Sequence, residues 1–132
     1  MKSLTAYILA GGKSSRMGTD KGLLLLDGKP IVKHIYDALF PIVGDNIIVV
    51  SANAKYDFLG CQRIEDIVYD KGPVGGIYTA LNHSITNLNI IVSVDVPLVS
   101  SELLQWIVDN HSDEFQMTQI KVDGKTCPLI AV

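Results

Sequence analysis

Charge is sparse in this sequence, and cations form no cluster. Charged residues make up 19% of the 132 residues, the 11 Lys and Arg residues are mostly scattered singly, and the formal net charge is -3. Nucleic-acid-binding proteins usually carry a basic patch, so this composition argues against nucleic acid as a partner. A small anionic ligand is not excluded, because a few well-placed donors are enough to bind one phosphate group.

Cysteine motifs and long apolar runs are also missing. Cys61 and Cys127 stand far apart with no CxxC spacing, which indicates two reduced thiols and not a metal site or a disulfide framework. The apolar run from Leu4 to Ala10 is too short for a signal peptide or a membrane span. We therefore expect a cytoplasmic protein with no membrane association.

Hydrophobic residues, in contrast, are abundant. They make up 48% of the chain, enough to bury a core, and we expect residues 1–132 to form one domain. The sequence stops inside an apolar run, Pro128 to Val132, with no polar tail. A strand rarely ends a complete domain at its most buried point. We therefore expect a C-terminally truncated domain, or a short form that needs a partner, such as a second copy of itself.

Short apolar runs alternate with segments of helical periodicity. The predicted strands are Leu4 to Ala10, Leu23 to Leu26, Asn46 to Ser51, Arg63 to Asp66, Ile90 to Val94, Phe115 to Ile120 and Thr126 to Val132. Three helices are predicted from their apolar faces, which are Ile31, Ile35, Ala38, Leu39 and Ile42; Ile77, Leu81 and Ile85; and Leu103, Leu104, Ile107 and Val108. This alternation indicates an α/β domain of three layers, α/β/α, with a mostly parallel sheet.

Three local signals refine this prediction. Pro30 is suited to the first turn of the first helix, and Ser100 or Ser101 to the cap of the third. Asp27-Gly28 predicts a tight turn. Trp106 is expected to pack, and His83 is expected to be a surface histidine, because no pair of histidines has ligand spacing.

Ligands of such sheets bind beyond the carboxyl ends of the strands. The chemistry is therefore expected just after Ala10, Ser51, Asp66 and Val94.

The segment after the first strand is the richest in candidate binding groups. It reads Leu9-Ala10-Gly11-Gly12-Lys13-Ser14-Ser15-Arg16-Met17-Gly18-Thr19-Asp20-Lys21. Its glycines allow close backbone approach, its N–H groups can form an anion-binding nest, and Arg16 and Lys21 add positive charge. These features predict a triphosphate cradle. A solvated surface loop is the alternative, and the position after a buried strand favours ligand binding.

Two other nucleotide motifs do not fit this segment. A P-loop requires a glycine where Tyr7 stands, five residues before Gly12 of Gly12-Lys13-Ser14. The dinucleotide fingerprint requires a glycine at Lys13.

The run Leu-Ala-Gly-Gly-x-Ser-x-Arg-Met-Gly-x-Asp-Lys resembles the signature of GT-A-like nucleotidyltransferases, which have a Rossmann-like fold. Within that superfamily it is most similar to the molybdenum cofactor guanylyltransferases. The resemblance implies that the segment binds a nucleotide, with contacts from Leu9, Ala10, Gly11, Gly12, Ser14 and Lys21.

Four later positions extend the resemblance. Asp95-Val96-Pro97 matches the family's Asp-x-Pro, whose aspartate binds Mg²⁺ and contacts the nucleotide. Asp66 matches a nucleotide-contacting aspartate, and Gly72-Pro73-Val74-Gly75-Gly76 matches a Gly-Pro loop. Ser51 departs from the family, which often has at this position an asparagine that contacts the nucleotide. Serine keeps a hydrogen-bonding group but loses the amide, so we expect Ser51 to contact the nucleotide, with Asn53 as a nearby alternative.

The resemblance implies an activity as well. An acceptor phosphate would attack the α-phosphorus of GTP, and pyrophosphate would leave, with Arg16, Lys21 and Asp95 as the catalytic residues and Mg²⁺ as the cofactor. The implied acceptor is molybdopterin carrying molybdenum, and a protein of the same cofactor pathway is an implied partner. Two alternatives stay open: a transferase of the same fold acting on a sugar phosphate or methylerythritol phosphate, and a non-catalytic nucleotide-binding remnant.

Overall fold

A computed structural model describes residues 4–10, 21–65, 79, 80, 82–84, 88–94, 100–110, 117–122 and 125–131 of the chain. The strands in these residues are β1 (Leu4–Leu9), β2 (Leu25–Leu26), β3 (Lys29–Pro30), β4 (Ile47–Val50), β5 (Gln62–Ile64), β6 (Leu88–Ser93), β7 (Met117–Val122) and β8 (Lys125–Ala131). The helices are α1 (Ile31–Val43) and α2 (Ser101–Asn110), with two 3-10 helices at Lys21–Leu23 and Ala54–Leu59. Residues 79, 80, 82 and 83 are also helical.

The main sheet has six strands in the order β5-β4-β1-β6-β8-β7. The first four of these are parallel, whereas β8 runs antiparallel to both β6 and β7. The strands β2 and β3 form a separate antiparallel pair. The predicted mostly parallel α/β sheet is therefore confirmed.

Strand β1 lies at the centre of the parallel part, and its side chains alternate between two apolar layers. Ala6, Ile8 and Ala10 pack with the buried residues of α1 and α2, among them Leu39 and Leu104. Tyr7 and Leu9 face the other side, where they pack with Ile48, Val50, Ala80 and Ile91. Because β1 is covered on both faces, its sequence is a continuous apolar run and not an alternating one.

Helices α1 and α2 pack against one another on the first of these faces. In α1 the buried side chains are Val32, Ile35 and Leu39, which follow the helical repeat. Ser100 caps α2, since its Oγ accepts a hydrogen bond from the Leu103 N–H at 3.1 Å. Ser101 Oγ donates to the Ala38 carbonyl at 2.7 Å and joins the two helices. The predicted cap is therefore Ser100, while Ser101 has a tertiary role.

The turn predicted at Asp27-Gly28 is present between β2 and β3. Its two central residues have φ values of 54° and 77°, and Leu26 pairs with Lys29. Two consecutive residues with positive φ in a two-residue loop define the turn type that matches strand twist. His34 of α1 contacts the Leu26 carbonyl through Nε2 at 2.7 Å, which fixes the hairpin on the helix.

Several predicted boundaries were wrong by one to three residues. Pro30 is not in the first helical turn: it has φ -57° and ψ 143°, lies in β3, and precedes the first helical residue. The predicted strand Leu23 to Leu26 is reduced to Leu25–Leu26, because Leu23 ends a 3-10 helix. The predicted strand Arg63 to Asp66 begins one residue earlier, at Gln62, and ends at Ile64. Ile77, Leu81 and Ile85, the predicted face of the second helix, lie outside the described residues.

Trp106 was predicted to pack, but its side chain is 56% exposed. The buried face of α2 follows Leu104, which is 1% exposed, and continues through the partly buried Val108, four residues later. A residue halfway between two such positions points to the opposite side of a helix.

The Tyr7 hydroxyl takes part in a polar cluster with His83 and Gln62. It lies 3.0 Å from His83 Nδ1, and His83 Nε2 lies 3.3 Å from the Gln62 amide nitrogen. The side chain of His83 is exposed, as predicted, yet it covers a tyrosine that is itself fully buried. Burial raises the pKa of Tyr7, and a hydrogen bond with Ser84 opposes this only in part.

This cluster predicts a loss of stability in alkali that depends on Tyr7. The raised pKa means that the folded chain keeps the phenol proton where the unfolded chain has lost it. The contribution to stability is therefore complete below a pH of about 10, the ordinary tyrosine value, and is lost as the pH rises through the folded-state pKa. We expect Tyr7→Phe to cost about 1 kcal/mol at pH 8 and to flatten this alkaline decline. Urea unfolding at several pH values measures both effects, and parallel curves for the two proteins would contradict the assignment.

Candidate active site

The carboxyl ends of the four parallel strands lie level with one another. Leu9 is in register with Val50 on one side and with Ser93 on the other, and Val50 is in register with Ile64. The residues that follow, namely Ala10, Ser51, Glu65 and Val94, therefore form one edge of the sheet, which we call the carboxyl rim. The prediction that these strand ends meet at one place is confirmed.

Backbone hydrogen bonds continue across the carboxyl rim beyond the strands. The Ala10 N–H donates to the Val50 carbonyl at 3.1 Å, and the Val94 N–H donates to the Leu9 carbonyl at 3.1 Å. Leu9 and Ala10 thus use backbone groups to hold the sheet, and their side chains are buried. They fix the point from which the glycine-rich segment leaves the sheet.

Ser51, predicted to contact the nucleotide, is 4% exposed and forms a tight turn. Its N–H donates to the Ile64 carbonyl at 2.8 Å, and its Oγ accepts from the Asn53 N–H at 3.0 Å. Asn53 in turn caps the following 3-10 helix, since its Oδ1 accepts from the Lys55 N–H at 3.0 Å. The Asn53 carbonyl accepts from the Tyr56 N–H at 3.3 Å. The segment from Ser51 to Tyr56 is therefore held by its own polar groups.

Arg63 of β5 holds the same segment from the side. Its Nη1 donates to the Ser51 carbonyl at 3.0 Å, and its Nε donates to Asp57 Oδ1 at 2.8 Å. The hydrogen bond with Asp57 raises the pKa of Arg63 above its already high ordinary value, so the guanidinium stays charged. A permanent positive charge therefore lies beside the carboxyl rim, next to Ser51.

Lys21 begins the 3-10 helix Lys21–Leu23, directly after the glycine-rich segment. The remaining predicted site residues, Gly11, Gly12, Ser14, Arg16, Asp66 and Asp95, lie outside the described residues, as does the Gly72 to Gly76 loop. Their assigned roles therefore remain predictions. In sequence, however, Gly11, Asp66 and Asp95 come within two residues of Ala10, Ile64 and Val94, at the ends of three of the four parallel strands.

Two observations apply only to the part of the chain that the structure describes. In that part of the chain, no three His, Cys, Asp or Glu side chains come together to hold a metal ion. Nor is any helix in it long and apolar enough to cross a membrane.

The sequence reasoning missed Arg63 and Tyr56. A signal existed for Arg63, because a cation next to the strand end Ile64-Glu65-Asp66 suits an anionic ligand site. No sequence pattern indicated Tyr56, since its contacts join segments that are far apart in the chain.

Comparison with known proteins identifies the class. The model of the MobA-like NTP transferase domain matches residues 6–131. The chain belongs to this family of nucleotidyltransferases. The fold is also that of a cytidylyltransferase from Leptospira borgpetersenii, with a TM-score of 0.72, 14% sequence identity, and coverage of 99% of this chain and 60% of that one.

The curated relatives are more specific. The chain is 48% identical over all 132 residues to a Flavobacterium johnsoniae protein named "Probable molybdenum cofactor guanylyltransferase", and spans 69% of it. It is 36% identical, again over 132 residues, to a Carboxydothermus hydrogenoformans protein of the same name, and spans 66% of that one. The chain is thus similar along its full length to about two thirds of these relatives.

The Arg63 contacts predict how firmly the Ser51 turn is held. We expect Arg63→Ala to speed amide hydrogen exchange at Asn53 and Tyr56 by on the order of threefold to tenfold, because the turn loses its lateral anchor. Lys55→Ala is the matched control, since it removes a neighbouring exposed cation that no described contact ties to Ser51. Exchange followed by NMR measures both variants. Equal protection in wild type and Arg63→Ala would show that the anchor is dispensable.

Proposed function

We propose that this chain transfers GMP from GTP to the terminal phosphate of molybdopterin carrying molybdenum, in the cytoplasm, with release of pyrophosphate. The product is the guanine dinucleotide form of the cofactor. The observation that carries the proposal is the 48% identity, over all 132 residues of this chain, to a relative named for this activity. The level strand ends of the carboxyl rim support it, because the predicted nucleotide-binding segments follow these strand ends in the sequence.

The transfer exchanges one phosphorus–oxygen bond for another. An oxygen of the acceptor phosphate forms a bond to the α-phosphorus, and the bond from that phosphorus to the bridging oxygen of the β-phosphate breaks. The acceptor is already an anion, so no strong general base is needed. The barrier arises from bringing anions together, and catalysis is therefore mainly positioning and charge stabilisation.

Positive charge and N–H donors come from the glycine-rich segment in this proposal. Arg16 and Lys21 neutralise the charge that develops on the leaving pyrophosphate, and the N–H groups of Gly11, Gly12 and Ser14 bind phosphate oxygens. Arg63 keeps the Ser51 turn in place at the carboxyl rim. In this proposal the Ser51 hydroxyl, which accepts from the Asn53 N–H, donates its own hydrogen to the nucleotide.

Asp95 is the residue that would hold Mg²⁺. In the sequence it directly follows Val94, which is 1% exposed and comes right after the last residue of β6. A carboxylate oxygen is the type of ligand that Mg²⁺ prefers, and the donor set is completed by triphosphate oxygens and water. The ion, when bound, would lower the negative charge of the triphosphate.

Calorimetric titration of GTP, CTP and ATP with Mg²⁺ present tests this proposal. We expect GTP to bind best and Asp95→Ala to weaken Mg²⁺-dependent binding by about tenfold or more, which corresponds to about 1.4 kcal/mol. Asp109→Ala is the control, because Asp109 is an exposed carboxylate of α2. Pyrophosphate release with a molybdopterin acceptor then separates transfer from binding alone. Failure of every triphosphate to bind wild type would refute the proposed function.

A further inference from the structure

Gly22 lies close to Tyr56 and to Val94 of the carboxyl rim. A Cβ atom at this position would lie 2.8 Å from Tyr56 Oη, 3.1 Å from Tyr56 Cε1 and 3.1 Å from Val94 Cγ1. All three distances are shorter than ordinary van der Waals contact between heavy atoms. A side chain at position 22 therefore fits only if the side chains of Tyr56 and Val94 shift.

The three residues of this contact come from three different segments, and each is next to predicted machinery. Gly22 follows Lys21 directly, Val94 directly precedes Asp95, and Tyr56 belongs to the 3-10 helix Ala54–Leu59 that follows β4 and Ser51. Gly22 is buried, and Tyr56 and Val94 are each 1% exposed. We call these three residues the Gly22 contact.

Hydrogen bonds hold the segment that carries Tyr56. The Tyr56 N–H donates to the Asn53 carbonyl at 3.3 Å, and the next residue, Asp57, accepts from Arg63 Nε at 2.8 Å. Arg63 also donates to the Ser51 carbonyl at 3.0 Å. These hydrogen bonds hold the backbone at Tyr56, and burial of the side chain, which is 1% exposed, holds the ring against Gly22.

We propose that the Gly22 contact fixes the backbone at Gly22 against the end of β6 at Val94, with Tyr56 as the positioning residue, and that the Mg²⁺-dependent GTP binding assigned to their sequence neighbours Lys21 and Asp95 depends on it. The inference rests on the proposed function, which assigns phosphate binding to Lys21 and metal binding to Asp95. Consecutive Cα atoms are about 3.8 Å apart, so each of these two residues is one peptide unit away from the contact. A displacement at the contact is therefore passed directly to both. A misplacement of about 1 Å can cost on the order of a hundredfold in an active site.

A packing role and a positioning role for the Gly22 contact predict different experimental results. If the contact only stabilises the core, a change in it lowers the melting temperature but leaves the effect of Mg²⁺ on GTP affinity unchanged in the folded protein. If Mg²⁺-dependent GTP binding depends on the contact, the same change reduces the gain in GTP affinity that Mg²⁺ provides. This gain is the ratio of the GTP affinities measured with Mg²⁺ and with EDTA.

The test is calorimetric titration of GTP under both conditions, with folding of each variant checked by circular dichroism. We expect Gly22→Ala to reduce the Mg²⁺ gain by about tenfold, because the new methyl group displaces Tyr56 and Val94. Tyr56→Phe alone, which removes only the hydroxyl, should stay within about twofold of wild type. The double variant Gly22→Ala with Tyr56→Phe should recover most of the gain, because the shortest contact is relieved. Combining Gly22→Ala with Tyr36→Phe is the control, since Tyr36 lies on α1 outside the contact.

Each outcome is decisive. An unchanged Mg²⁺ gain in folded Gly22→Ala, or equal rescue by Tyr36→Phe, overturns the inference and leaves the proposed function standing. Absence of GTP binding in wild type overturns both. If Gly22→Ala does not fold, Val94→Ala replaces it: this variant shortens a side chain of the same contact, and it too should reduce the Mg²⁺ gain. An unchanged gain in folded Val94→Ala likewise overturns the inference.

Discussion

The register of β1 between β4 and β6 is the constraint on which the rest of the structure depends. This strand pairs with parallel neighbours on both sides, and Leu9, Val50 and Ser93 are level as a result. A shift of one residue would exchange Ala6 and Ile8 with Tyr7 and Leu9 between two different apolar layers. The cost of that exchange keeps the strand ends aligned, and the aligned ends make a shared ligand edge.

The sequence predicted those parts of the fold that rest on local patterns. The apolar strands β1, β4 and β6, the face of α1 around Ile35 and Leu39, and the turn at Asp27-Gly28 each have a signal within a few residues. The ends of elements were less predictable. Pro30 has a φ value that suits a helix and an extended strand equally, so only its ψ of 143°, set by pairing with β2, decides between them.

The residues of the candidate site also differ in whether a local sequence pattern indicates them. Its glycines, its cations and Asp95 could be proposed as site residues from their order after strands, because chain order and sheet direction determine which strand ends meet. The supporting residues could not be identified in this way. Arg63 acts on Ser51 from twelve positions away, and Tyr56 meets Gly22 across thirty-four positions. Such pairings depend on side-chain packing in three dimensions, and no periodicity in the sequence encodes them.

The packing at Gly22 also limits the order in which this sequence can change over generations. A larger residue at position 22 is accommodated more easily after the ring at position 56 has become smaller, because the two side chains would otherwise overlap. If the ring at position 56 is lost first, it leaves a cavity that a larger side chain at position 22 can later fill. The two positions should therefore drift as a pair, with the aromatic residue changing first.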